Sequence, residues 1–176
     1  GETGLEDAWR AALLAGVVPG TAAEGRQLRL RPNWADGWSA PSGLPMTVLF
    51  APDPAVWDGD YAGNAWLQEM PRPLTKIVWD NAALVAPSTA EDLNLASGDV
   101  VGITGPDGGE LSAPVWVMPG QAPGTITLPL GYGRWRAGDI GTFVGFNAAS
   151  LRRSGAPWML QPVSLAPAGR SHDLVG

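Results

Sequence analysis

The chain has 176 residues, 45% of them apolar and 16% charged, with a formal net charge of -6 and no cysteine. That length suits one ordinary domain with a real core, and the apolar content excludes a disordered chain. The negative charge, with scattered arginines and Lys76 as the only lysine, excludes a nucleic-acid binder, and the missing cysteine excludes disulfides, thiolate metal sites and thiol catalysis within the chain.

The segment EDAWRAALLAGVVPG (6–20) places Trp9, Leu13 and Val17 on one stripe and predicts a helix, stopped by Gly16 and Pro19-Gly20. LRLRP (28–32) alternates and predicts a short strand, and 33–45 reads as a loop with two tryptophans. MTVLFAPD (46–53) predicts a buried strand closed by Pro52 and Pro54, and a helical turn is expected over 64–70. A strand over 76–79 runs into an Asp-Asn corner. Ser88 or Thr89 then caps a short helix with Glu91 and Asp92 in its first turn, where acids suit the positive helix end better than catalysis. VVGIT (100–104), the PDGG turn (106–109) and the returning 109–120 form a hairpin. Further strands are expected within 122–133 and 158–169. Six or seven short strands at this turn spacing indicate a barrel rather than a sandwich.

The chain lacks an initiator methionine, begins at GETGLEDAW and reads as a piece of a longer protein. It carries no apolar run of membrane-spanning length and no signal segment. A lone histidine, His172, close to the end builds no nucleophile triad. Asp58-Gly-Asp60 lacks the further carboxylates of a calcium loop. Charged content below the usual quarter and nine tryptophans point to surface covered by a partner, ahead of a carbohydrate-stacking face.

The run LPLGYGRWRAGDIGTFVGFN (128–147) is the strongest local signal. It follows a strand but shows no helical period, so it is neither a P-loop nor a dinucleotide βαβ turn. Its glycines serve either a turn-rich barrel edge or a bound ligand. Arg134 offers a fork to a diphosphate or orders the loop by binding a carbonyl. Asp80, Asn81 and Asn147 suit either a purine or pterin edge or an Asx turn.

Trp79-Asp80-Asn81, Pro87, Ala90, Leu93, Leu95, Gly98-Asp99-Val100, Gly109, Pro123-Gly124, Gly131-Tyr132-Gly133-Arg134 and Gly145-Phe146-Asn147 together resemble the C-terminal dinucleotide-binding domain of molybdopterin oxidoreductases. The match runs from about Leu44 to Leu151. The resemblance implies a mainly β fold, a six-stranded double-psi β-barrel of the aspartate-decarboxylase-like type with short peripheral helices. It implies an organisation of 1–43 as helix and loop packing on the barrel, 44–168 as the barrel and 169–176 as a tail leading to a further region. The cofactor-contacting residues it implies are Trp79, Asp80, Asn81, Gly131, Tyr132, Gly133, Arg134 and Asn147, with no metal ligand and no catalytic residue in this chain.

The segments NAWLQEMPRPLTKIVWDNAAL, APVWVMPGQAPGTITLPLGYGR and GFNAASLR resemble more specifically the molybdopterin-like, iron–sulfur-carrying subunit of bacterial alternative complex three, a quinol-oxidising membrane complex. That likeness implies a structural, cofactor-free barrel at the periplasmic face of the inner membrane. Its partners would be other domains of its own chain and other subunits of the complex, with iron–sulfur clusters only in regions outside this chain. The alternative expectation is a domain that binds a molybdopterin guanine dinucleotide in an active molybdenum oxidoreductase.

Overall fold

The computed structural model describes residues 2–34, 36 and 46–176. The chain divides into two compact units, Gly1–Ala40 and Pro41–Gly176. In the first, helix α1 spans Glu2–Ala15 and ends where Gly16 turns left-handed at φ +71°. An i,i+4 pair, Glu6 with Arg10 at 3.6 Å, lies along it. The helix begins four residues earlier than its apolar stripe indicates.

Residues 28–32 are not a strand. Alternation makes a segment able to pair, but a strand exists only where a neighbour supplies the ladder, and among the described residues none does. Most of the loop expected over 33–45 lies outside the described residues.

The second unit is a mainly β closed barrel. Its strands are β1 (Met46–Ala51), β2 (Ala83–Val85), β3 (Asp99–Thr104), β4 (Glu110–Val117), β5 (Thr125–Pro129) and β6 (Met159–Ser171). They close in the order β1-β5-β2-β4-β3-β6. β1 runs parallel to β5 and β2 parallel to β4, while the other four pairings are antiparallel. The β3–β4 hairpin is local: the Gly105 N–H donates to the Gly109 carbonyl at 2.8 Å, and Thr104 faces Glu110.

Period-two patterning fills the interior. Val48 and Phe50, Val101 and Ile103, Ala113 and Val115, and Ile126 and Leu128 all point inward and are almost completely buried. Each large member contributes roughly 1.5–3 kcal/mol by leaving water. Leu130, Phe146 and Leu151 extend this core beyond the strands toward the glycine run.

Short helices sit between the strands: α2 (Ala65–Glu69), α3 (Pro87–Asp92) and α4 (Gly138–Gly141), with a 3₁₀ turn at Ala148–Leu151. Two expectations fail here. Helix α3 starts at Pro87 after an Ala86 cap, so neither Ser88 nor Thr89 caps it. Proline pre-sets the first helical position, and the buried Thr89 hydroxyl instead accepts the Gly124 N–H at 3.0 Å. Glu91 and Asp92 therefore lie exposed at the far end of α3, away from its positive dipole end.

The strand expected over 76–79 is also absent. Lys76 and Trp79 both adopt positive φ, +63° and +54°, which an extended ladder cannot accommodate. The strand forms after the corner, as β2. At the other end, β6 runs on to Ser171, so the expected tail from 169 begins inside the sheet. His172 N–H donates to the Gly98 carbonyl at 2.8 Å, and Val78 N–H to the Val175 carbonyl at 2.9 Å.

Candidate functional site

The glycine run leaves β5 and folds back under a strap formed by residues 53–64. Gly131 sits at φ +99°, and a Cβ there would come within 2.9 Å of Gly59 N and the Trp57 carbonyl. Gly133, at φ +67°, would drive a Cβ into the Asn147 amide and to 2.5 Å from the Phe146 carbonyl carbon. These two glycines let backbone lie on backbone.

The strap is itself anchored by a buried ion pair. Asp53 accepts from Arg72 Nε at 3.2 Å and Nη2 at 3.3 Å, and its Oδ1 also accepts the Ala55 and Val56 N–H groups at 2.8 and 3.0 Å. Arg72 further donates to the Ile77 carbonyl at 3.2 Å and lies 5.2 Å from the centroid of the buried Tyr132 ring. The hydroxyl of Tyr132 is buried without a hydrogen-bond partner among the described residues.

The eight expected contact residues divide between two clefts. Gly131, Tyr132, Arg134 and Asn147 line one of about 330 Å³, together with Arg136 and Arg152. Asp80 and Asn81 line a different one of about 320 Å³, walled by apolar groups such as Leu84 and Met118. Trp79 is in the wall of neither.

Individual roles follow from the bonding. Arg134 Nη1 donates to the Gly59 carbonyl and so orders the loop against the strap. Asn147 Oδ1 accepts the Ala149 N–H at 3.1 Å, an Asx turn that starts the 3₁₀ segment. Asn81 is buried, with both amide N–H groups bonded to the Pro129 and Phe146 carbonyls at 3.0 and 3.1 Å, so it has no donor left for a pterin or purine edge. Asp80 Oδ2 lies 2.5 Å from His172 Nε2. Trp79 donates its backbone N–H to the Gln68 carbonyl at 3.0 Å.

Two arginines absent from the expected set complete the first cleft. Arg136 lies on the Trp135 ring at 4.8 Å and Arg152 on the Trp158 ring at 4.9 Å. The pairing of Arg134 with Arg136, and Arg152 with Arg153, near the glycine run was the available sequence signal. Only one of the second pair turns to the cleft, because Arg153 forms a salt bridge with Asp107. Among the described residues, no carboxylate pairs with Arg134, Arg136 or Arg152. Nor do three His, Cys, Asp or Glu side chains gather there as a metal site.

Residues 60–157, more than half of the chain, match the family described as the Molydopterin dinucleotide binding domain. The chain belongs to that family. Within this dinucleotide-binding family, the chain is 42% identical over 62 residues to a tetrathionate reductase subunit of Archaeoglobus fulgidus, covering 35% of this chain and 5% of that protein. Acetylene hydratase from Pelobacter acetylenicus matches the structure with a TM-score of 0.50 and 19% identity, a likeness of fold alone, over 70% of this chain and 18% of that one. The dinucleotide-binding chain thus spans a small part of the length of either relative. The matched region contains both the strap's end and the whole glycine run, so the first cleft lies almost entirely within it.

Proposed function

We propose that the cleft on the glycine run receives the dinucleotide part of a molybdopterin cofactor, and that the chain serves as a cofactor-holding domain in a larger oxidoreductase. One observation carries this reading: three guanidinium groups converge on a cleft of about 330 Å³ with no carboxylate partner among the described residues. Uncompensated guanidinia in a partly enclosed site suit a diphosphate, which offers matched charge and paired acceptor oxygens. Such a cofactor would supply the redox chemistry. The residues of this chain bind and orient it: Arg136 and Arg152 meet charge, while Arg134 keeps the loop in place. The two parallel strand pairs, β1/β5 and β2/β4, support the finer assignment of the barrel as double-psi.

A second function is favoured by Asn81, whose amide is spent on the fold. On that basis the chain is a structural, cofactor-free barrel in a quinol-oxidising complex at the periplasmic face of the inner membrane. It would brace an iron–sulfur region against membrane subunits. The segments similar to alternative complex three support this, and no described helix is long and apolar enough to cross a membrane. Molybdenum and pterin analysis of the protein purified from its native host separates the two. Stoichiometric molybdenum and an extractable pterin nucleotide are expected, and their absence from intact, fully assembled protein would sink the first proposal.

A further inference from the structure

We infer that Arg136 and Arg152 form a two-pronged diphosphate subsite with indole walls, and that Arg134 is its scaffold; this deepens, and rests on, the cofactor-holding function proposed above. The three cleft arginines are not equivalent. Arg134 is held by the Gly59 carbonyl, and its own carbonyl accepts the Phe143 N–H at 2.7 Å. It is built into the meeting of strap and loop.

Arg152 differs. Its Nε donates to the Pro157 carbonyl at 2.7 Å, and its guanidinium lies on the Trp158 ring. Both contacts fix the plane of the group while leaving Nη1 and Nη2 free of any hydrogen bond among the described residues. Arg136 lies on the Trp135 ring, and no hydrogen bond from its side chain to another described residue engages it. Two guanidinia oriented by stacking, with donors to spare, are pre-organised forks: the ordering cost is met before a ligand arrives.

Charge sets the direction. Asp58, the cleft's carboxylate, belongs to the strap next to Gly59, on the side where Arg134 is tied down. It repels phosphate there and favours it at the Arg136 and Arg152 side. Trp135 and Trp158 are more than half exposed, so each offers indole surface to a planar ring attached to the diphosphate. The ligand class is therefore a diphosphate ester carrying an aromatic heterocycle, held more by its phosphates than by its ring.

The test titrates the 176-residue chain with inorganic pyrophosphate, guanosine diphosphate and guanosine at low salt, following tryptophan fluorescence and calorimetry. Guanosine diphosphate is expected to saturate, pyrophosphate to compete with it, and guanosine to bind at least about tenfold more weakly. Arg136→Gln and Arg152→Gln should each weaken guanosine diphosphate about tenfold, and Asp58→Asn should tighten it by roughly threefold. Arg153→Gln, which removes the neighbouring arginine bound to Asp107, should leave affinity unchanged, with thermal melts confirming that every variant folds. Equal binding by the Arg136 and Arg152 variants, or no saturation by either phosphate ligand, would overturn the subsite. In the natively purified protein, an Arg136→Gln/Arg152→Gln variant that keeps wild-type pterin content also overturns the subsite and leaves the cofactor-holding function standing. A wild-type protein without pterin, whose chain still binds guanosine diphosphate through these arginines, leaves the subsite standing and removes that function.

Discussion

Asn81 holds Phe146 at both of its backbone groups: its Oδ1 accepts the Phe146 N–H at 2.8 Å and its Nδ2 donates to the Phe146 carbonyl at 3.1 Å. The second Nδ2 hydrogen goes to the Pro129 carbonyl at 3.0 Å. One buried amide thus ties the corner before β2 to both ends of the glycine run. Asn81→Ala strands a buried N–H and two carbonyls, so a loss of about 3 kcal/mol is expected in urea unfolding. Asn81→Asp should be no better, since a carboxylate cannot donate. A loss under about 1 kcal/mol would show that the clamp is dispensable.

Gly133 is the second point of close approach. Gly133→Ala puts a methyl group into the Asn147 amide at a positive φ, and should cost more than about 2 kcal/mol. Gly120 is the control: it has φ +92° but open space around it, so Gly120→Ala should cost only about 1 kcal/mol. Equal melting temperatures for the two variants would contradict the packing account.

The Arg72–Asp53 pair anchors the strap from beneath. Arg72→Met leaves a buried carboxylate, yet Asp53 keeps its bonds from the Ala55 and Val56 N–H groups. The expected loss is therefore about 3 kcal/mol, at the lower end for a broken buried pair. Chemical denaturation measures it, and a neutral result would mean that Asp53 is satisfied by the turn alone.

Beyond β6, His172 meets Asp80 at 2.5 Å on a half-exposed surface. His172→Ala should change global stability by less than about 1 kcal/mol. Hydrogen exchange at the Val78 amide should nevertheless accelerate by about severalfold, because that N–H is held by the Val175 carbonyl just past the pair. Unchanged exchange would assign the tail's order to the sheet and its backbone bonds alone.

Much of the barrel was readable in advance. VVGIT, PDGG and the returning strand form a hairpin whose contacts are local and whose turn residues are specific, so β3 and β4 appear where expected. Residues 76–79 misled, because β-branched residues advertise a strand while the positive φ of Lys76 and Trp79 is imposed from outside. The capping of α3 misled for a simpler reason, since Pro87 starts the helix before Ser88 or Thr89 can cap it. In the site, Gly131, Tyr132, Arg134 and Asn147 do share a cleft, but Asp80 and Asn81 face another.

By itself, the sequence determined what local chemistry determines: alternating inward residues, a glycine-dense exit from β5, the absence of thiol chemistry, and the family pattern. Only the tertiary structure decided which polar groups remain available to a ligand. A hydrogen bond consumes a donor, and the partners that consume those of Asn81 and Arg134 lie 48 to 75 positions away in the chain. Pairing over that distance is set by how the barrel closes, so the glycine run shows its cleft in sequence while Arg136 and Arg152 become visible as its free cations only in three dimensions.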